Sequence, residues 1–209
     1  MELSSIKKWI KPAIVALPPK KALVVALLLV IIFIFVATPW FNRLIYPLEY
    51  EEYIIDSAQV TGVDPYLVVA VIRTETKFDP DKKSRVGAIG LMQLTPITVD
   101  EAIKEGNFSP ASRDYIHDPA INIRLGSWYL ARLTKRFKGN KVAAVAAYNA
   151  GPTIVQKWLE KKVWDGTIEN ADQIPYGETR HYVKRVTYLY EKYRALYKDL
   201  DDKVKQNKS

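Results

Sequence analysis

A run of twenty uncharged residues near the N-terminus constrains this chain more than any other feature of its sequence. Residues 22–41 read ALVVALLLVIIFIFVATPWF. A helix of about 20 apolar residues is long enough to cross the roughly 30 Å hydrocarbon core of a bilayer. A helix buried in a globular core is the alternative, but the length of the run and the absence of any polar face favour a membrane segment. We therefore predict a single transmembrane helix over residues 22–41.

A cleaved signal peptide is the main alternative to a retained anchor. The apolar run is longer than the 7 to 15 residues usual in the apolar region of a signal peptide. The best candidate for a cleavage site between small residues has Pro39 beside it, which also disfavours cleavage. Lysines before the run would hold residues 1–21 in the cytoplasm, so the remainder of the chain would lie outside. The predicted order is a basic segment (1–21), an anchor (22–41), a short linker (42–47), a domain (48–198) and a polar tail (199–209).

Composition excludes several classes of function. The chain has no cysteine, so it can form neither a disulfide nor a thiolate metal site, and only two histidines, so no metal site is predicted. Of the net charge of +8, half comes from five lysines and Glu2 that precede residue 42. The other basic residues are scattered and accompany no nucleic-acid motif, so nucleic-acid binding is not predicted.

Repeated helix-start and helix-stop signals predict an all-α domain. The first helix of this domain is predicted from Pro47 to about Gly62, and a second, which begins at Asp64-Pro65, contains Glu75. Further helices are predicted to begin at the pairs 95–96 and 118–119 and at Pro152, and a short helix is predicted to end near Tyr148. A last helix is expected over about 178–200, followed by a frayed polar tail. No segment alternates with the period of two that a half-buried strand needs.

Glu75 stands out as a carboxyl group on an apolar helix face. The positions three, four and seven residues before it are Ile72, Val71 and Val68, which places its side chain on the buried stripe. Desolvation raises the pKa of a carboxyl group, as a general acid near neutral pH requires. From spacing alone, it remains equally open whether Glu75 instead turns to water or pairs with Arg73 or Lys77.

Three later segments, taken with Glu75 and in this order, resemble the catalytic domain of the SLT-type lytic transglycosylases, a family with the lysozyme-like (goose-type) helical fold. They are GAIGLMQ at 87–93, AYNAG at 147–151 and YGETRHYV at 176–183. The resemblance covers residues 48 to 197. It implies that Glu75 is the single catalytic acid and base and that no cofactor is needed. The substrate-binding residues it implies are Ser84, Met92, Gln93, Tyr148, Asn149 and Tyr182.

Two positions depart from the family pattern: Thr76 stands where a Ser is usual, and Thr95 where many members have Met. The implied substrate is peptidoglycan, cut between N-acetylmuramic acid and N-acetylglucosamine to leave a 1,6-anhydromuramoyl end. A water-using muramidase on the same fold and a non-catalytic wall-binding scaffold remain alternatives. The expected location is the outer face of the bacterial cytoplasmic membrane, with cell-wall or secretion machinery as candidate partners.

Overall fold

The computed structural model describes residues 19–207, and its contacts divide the chain into two compact units, Met1–Pro47 and Leu48–Ser209. Residues 1–18, most of the predicted basic segment, lie outside the described residues, as do residues 208–209 of the predicted tail.

The described part of the first unit, residues 19–47, contains two helices, α1 (Lys20–Ala37) and α2 (Pro39–Ile45). The break between them lies at Thr38, whose backbone is extended before Pro39 and whose hydroxyl accepts the N–H of Phe41. The predicted anchor (22–41) and linker (42–47) therefore do not coincide with helix boundaries. Apolar side chains of α1 from Leu23 to Phe35 are exposed. Within residues 19–207, no helix meets the combined length and apolarity needed to cross a membrane.

The second unit is built from helices, and residues 48–207 contain no strand beyond two isolated bridges, Lys83 with Ile89 and Ile89 with Leu94. This confirms the predicted all-α class. The α-helices are α3 (Glu51–Thr61), α4 (Pro65–Glu75), α5 (Pro96–Glu105), α6 (Pro119–Arg136), α7 (Lys141–Ala150), α8 (Pro152–Glu160), α9 (Gly177–Leu196) and α10 (Leu200–Gln206). Short 3-10 turns lie at Pro110–Arg113 and Ala171–Gln173.

The helix starts predicted at the Asp-Pro and Thr-Pro pairs are confirmed by their caps. Asp64, Thr95 and Asp118 each precede a proline at the first helical position and accept backbone N–H groups with their side chains. These bonds satisfy donors that a helix start leaves without an intrahelical partner. Thr95 thus has a structural role as the cap of α5.

Helix α4 forms the centre of the domain. Its residues from Pro65 to Ile72 are all buried, because the helix packs mainly against α9 and also against α3 and α6. A helix that is apolar on every side is expected in such a position. The C-terminal end of α4 therefore follows directly on a fully packed helix.

The two ends of the domain differ from their predicted form. Helix α3 begins at Glu51 rather than near Pro47, because Tyr50 has a left-handed φ of 56°. The last long helix ends at Leu196, and the expected frayed tail is the separate helix α10. Leu200 anchors it with only 1% of its surface exposed, and Lys203 forms 2.7 Å ion pairs with Glu51 and Asp199.

Candidate active site

Glu75 occupies the last position of α4, below which Ile72, Val71 and Val68 are fully buried. Its Oε1 accepts a hydrogen bond of 2.7 Å from the hydroxyl of Tyr182 on α9. The carboxyl group therefore points toward the interior of the domain, one of the two orientations that spacing alone had left open, and retains a partly exposed surface.

Burial raises the pKa of Glu75 from 4.5 to about 7. The hydrogen bond from Tyr182 opposes this rise because it stabilises the carboxylate, whereas the negative charge of Glu178 adds to it. Burial also raises the pKa of both Tyr148 and Tyr182 well above the usual range, and the charge of Glu75 contributes to each shift. Both phenols thus remain protonated, and able to donate hydrogen bonds, near neutral pH.

The chain reverses direction immediately after Glu75. Lys77 and Phe78 both have left-handed φ angles, 57° and 72°, which are uncommon for residues other than glycine. Phe78 is buried, and Thr76 is also buried, with its hydroxyl 3.0 Å from the carbonyl of Leu91 and 3.2 Å from that of Ile72. The Thr76 hydroxyl, which the sequence left without a role, therefore ties the end of α4 to the loop that follows.

That loop, residues 82–94, contains three of the predicted binding residues. Ser84 accepts the N–H of Ala88 at 2.9 Å. Gln93 has a left-handed φ of 47° and donates its amide group to the carbonyls of Lys82 and Gly90. The side chain of Met92 is fully buried, and its role in substrate binding stays a prediction. Its backbone carbonyl accepts the hydroxyl of Tyr148 at 2.8 Å.

The end of α7 and the start of α9 meet beside the same loop. Tyr148 packs against Tyr129 with ring centroids 5.6 Å apart. Asn149 accepts a 2.6 Å hydrogen bond from the hydroxyl of the buried Thr179, which the sequence analysis did not single out. The signal was present, since Thr179 lies two residues into the YGETRHYV segment, but a Thr in a helical first turn has no distinctive chemistry.

The structure brings Glu75, Tyr148 and Tyr182 together. The side chains of Ser84, Gln93 and Asn149 instead form hydrogen bonds with backbone groups or with Thr179. A further polar residue in this region, Asn122 on α6, was missed by the sequence analysis although it is completely buried.

Other features of the surface lie apart from this group. A cavity of about 650 Å³ lies around the opposite, N-terminal end of α4 and is lined by Asp64, Trp128, Arg132 and Lys141 among others, but not by Glu75. In the part of the chain that is described, no three His, Asp or Glu side chains come close enough to hold a metal ion.

Comparison with known proteins gives a consistent family match. The family model described as the transglycosylase SLT domain matches residues 52–170. The soluble lytic murein transglycosylase of Escherichia coli K12 is 35% identical over 148 residues, which are 68% of this chain and 22% of that protein.

Two solved structures are similar in fold as well as in sequence. The lytic transglycosylase Slt of Pseudomonas aeruginosa, solved as an inactive mutant, has a TM-score of 0.66 and 35% identity, covering 74% of this chain and 25% of that one. The 70 kDa soluble lytic transglycosylase of Escherichia coli has a TM-score of 0.70 and 32% identity, covering 75% and 26%. This chain thus spans about a quarter of the length of these relatives.

Proposed function

Because this chain belongs to the transglycosylase SLT domain family, we propose that its second unit is a lytic transglycosylase that cleaves the glycan strands of peptidoglycan with Glu75 as the single acid and base. The observation that carries the proposal is the environment of Glu75, a carboxyl group with a pKa of about 7 whose Oε1 is held by Tyr182. Such a group exists in both protonation states near neutral pH, as one residue that must first give and then take a proton requires.

In the first step, protonated Glu75 donates its proton to the glycosidic oxygen between N-acetylmuramic acid and N-acetylglucosamine. The bond from that oxygen to C1 of the muramoyl sugar breaks, and the N-acetylglucosamine leaves with a hydroxyl group. Since Tyr182 holds Oε1, Oε2 is the oxygen that faces the substrate in this scheme. The muramoyl N-acetyl group stabilises the positive charge at C1.

In the second step, the ionised Glu75 accepts the proton of the C6 hydroxyl of the same sugar, and the C6 oxygen bonds to C1. The product is a 1,6-anhydromuramoyl end, Glu75 is protonated again, and no water is consumed. An intramolecular hydroxyl has the advantage of proximity over a water molecule, which also removes the need for a second carboxylate. Asp79 and Asp81 suit a different role, because Asp79 accepts the N–H of Asp81 in an exposed turn.

We assign Asn149, Ser84 and Gln93 to substrate binding, because each has a hydrogen-bond donor or acceptor that is not used in its bonds within the protein. Asn149 uses its side-chain oxygen to accept from Thr179, so its amide protons are available to a sugar carbonyl or hydroxyl. Ser84 accepts from Ala88 and keeps its own proton to donate. Gln93 has both amide protons directed to backbone carbonyls, so its side-chain oxygen remains as an acceptor.

Analysis of the fragments released from purified sacculi tests the reaction. The full chain in mild detergent should release muropeptides that end in 1,6-anhydromuramic acid. Glu75→Gln should lower release by at least about 100-fold, the lower range for loss of a general acid, with an unchanged fold by circular dichroism. Fragments one water heavier would identify a muramidase, and binding of sacculi without any release would identify a scaffold protein. Full activity of Glu75→Gln would overturn the proposal for that residue.

We also propose that the apolar segment 22–41 associates the protein with the cytoplasmic membrane, with the second unit on the wall side. The uncharged run and the exposed apolar side chains of α1 support this location. The full chain should sediment with membranes and resist extraction by high salt, whereas a variant that lacks residues 1–45 should not. Salt extraction of the full chain would contradict this proposal without affecting the proposed reaction.

A further inference from the structure

Asn122 lies on α6 and makes three hydrogen bonds, each to a backbone group outside its own helix. Its side-chain oxygen accepts the N–H of Met92 at 2.8 Å, and its amide group donates to the carbonyls of Ile89 at 3.0 Å and Ile116 at 2.8 Å. The side chain is completely buried. Two of the three bonds hold the loop that follows Glu75, so Asn122 replaces the regular pairing that this irregular segment lacks.

Gly126 lies one helical turn after Asn122 on α6, and the side chain of Met92 packs against it. A Cβ atom at Gly126 would lie 2.3 Å from the Sδ of Met92, a distance that real contacts do not reach. Glycine inside a helix destabilises it by about 0.5–1 kcal/mol relative to alanine, so its presence here is explained by the close approach of Met92. Asn122 therefore binds the backbone of Met92 while Gly126 accommodates its side chain.

A third contact between the loop and α6 involves a glycine of the loop. Gly90 has a φ of 75°, and a Cβ atom there would lie 2.3 Å from the Nδ2 of Asn122. The glycine thus permits the loop to approach the asparagine closely. The close packing of residues 90–92 on α6 therefore depends on small or matching residues on both sides, Gly90 in the loop and Asn122 and Gly126 on the helix.

The same loop segment also bonds two residues next to the catalytic group, Thr76 and Tyr148. The carbonyl of Leu91 accepts the hydroxyl of Thr76, the neighbour of Glu75, and the carbonyl of Met92 accepts that of Tyr148. A displacement of Met92 would therefore disturb the loop that borders Glu75. Glu75 itself has an independent support in Tyr182.

We propose that Asn122, together with Gly126, is a positioning residue for the reaction proposed above: it fixes residues 90–93 so that this loop forms one wall of the glycan-binding site. The proposal rests on the proposed function only for its effect on activity. Its structural part, the immobilisation of Met92 by Asn122, can be measured without any substrate.

Amide hydrogen exchange of the full chain in detergent measures that structural part. Asn122→Ala removes the acceptor of the Met92 N–H, so exchange at Met92 should become at least about tenfold faster, the change that corresponds to loss of one hydrogen bond. Gly126→Ala should have the same effect because it displaces the side chain. Asn140→Ala is the matched control, since Asn140 also bonds two backbone groups, the N–H of Ala143 and the carbonyl of Gly166, at the far end of α7.

Steady-state kinetics on soluble glycan fragments measure the effect on binding. Because Glu75 keeps its bond to Tyr182, Asn122→Ala should raise KM about tenfold and change kcat less than about threefold. Asn140→Ala should lose stability without this rise in KM. Unchanged exchange at Met92 in Asn122→Ala, or an equal rise in KM in Asn140→Ala, would overturn the proposal. If the wild-type chain cleaves no glycan, the proposed function fails, but the exchange result still decides whether Asn122 fixes the loop.

Discussion

The hydroxyl of Tyr182 donates a 2.7 Å hydrogen bond to Glu75 across 107 positions of sequence. This bond joins the C-terminal end of α4 to the first half of α9, the two helices that pack most extensively against each other. Because the phenol is itself deeply buried and its pKa is raised, it cannot ionise in competition with the carboxyl group. The pair therefore supplies one titrating proton, on Glu75, and a fixed donor that orients it.

The activity should decline on the alkaline side of neutrality. Glu75 must be protonated to act as the acid, and its pKa is about 7, so kcat/KM should fall about tenfold per pH unit above that value. A rate profile on soluble glycan fragments from pH 5 to pH 9 measures this limb. An inflection near 4.5, the ordinary value for a glutamate, would show that the carboxyl group is not desolvated as described.

Substitution of Tyr182 by Phe should affect both the rate and the position of this limb. The hydrogen bond from Tyr182 lowers the pKa of Glu75, so its loss should raise that pKa and move the alkaline limb to higher pH. At pH 5, where Glu75 is protonated with or without the bond, the loss of orientation should still lower kcat about tenfold. Tyr188→Phe, an exposed tyrosine on the same helix, is the control and should leave the profile unchanged.

Substitution of Glu178 by Gln should move the limb in the opposite direction. Glu178 lies exposed in the first turn of α9, and its negative charge raises the pKa of Glu75. Its neutralisation should lower that pKa, so the alkaline decline should begin at a lower pH, and the difference from wild type should shrink in high salt. Glu169→Gln removes another exposed carboxylate and should have no such effect; equal shifts in the two variants would mean that only net charge matters.

Much of the fold was predictable because its signals are local. Asp-Pro and Thr-Pro pairs determine where α4, α5 and α6 begin. The apolar stripe before Glu75 made a buried side chain possible but did not decide between burial and solvent. Helix α10 was not predictable, because it depends on the burial of Leu200 and on ion pairs between Lys203 and residues as distant as Glu51. A polar composition alone predicts a frayed end.

The resemblance named residues for the candidate site, but it could not predict all of their contacts. The resemblance named Met92 as a binding residue, yet its side chain is buried, since Gly126 opens a space for it. Asn122 was missed because a single asparagine between two isoleucines has no motif, and two of its three partners, Met92 and Ile89, lie about 30 residues away. The glycine in the middle of α6 was the available signal, because such a position usually reflects close packing.

Glu75 should decrease the stability of the domain at neutral pH. Its folded pKa of about 7 exceeds the unfolded value of 4.5, so the folded state holds more protons between these values and stability is lost as pH rises through 7. Glu75→Gln does not ionise and should therefore be more stable than wild type at pH 8, by at most about 3 kcal/mol, with little difference at pH 4. Thermal unfolding at the two pH values measures this, and a constant difference at both would contradict it.

The Thr76 hydroxyl should matter more than its position at a helix end suggests. It is buried and donates to the carbonyl of Leu91, so Thr76→Val leaves that carbonyl without its partner at a cost of about 1–3 kcal/mol in unfolding free energy. Thr76→Ser keeps the hydroxyl and should retain most of the stability. Thr74→Val is the control on the same helix, because Thr74 donates only to the carbonyl of Ala70 in its own turn. Urea unfolding of the three variants compares them. Equal losses for Thr76→Val and Thr74→Val would mean that the bond to Leu91 contributes nothing, and that the loop is held beside Glu75 by α6 and α7 alone.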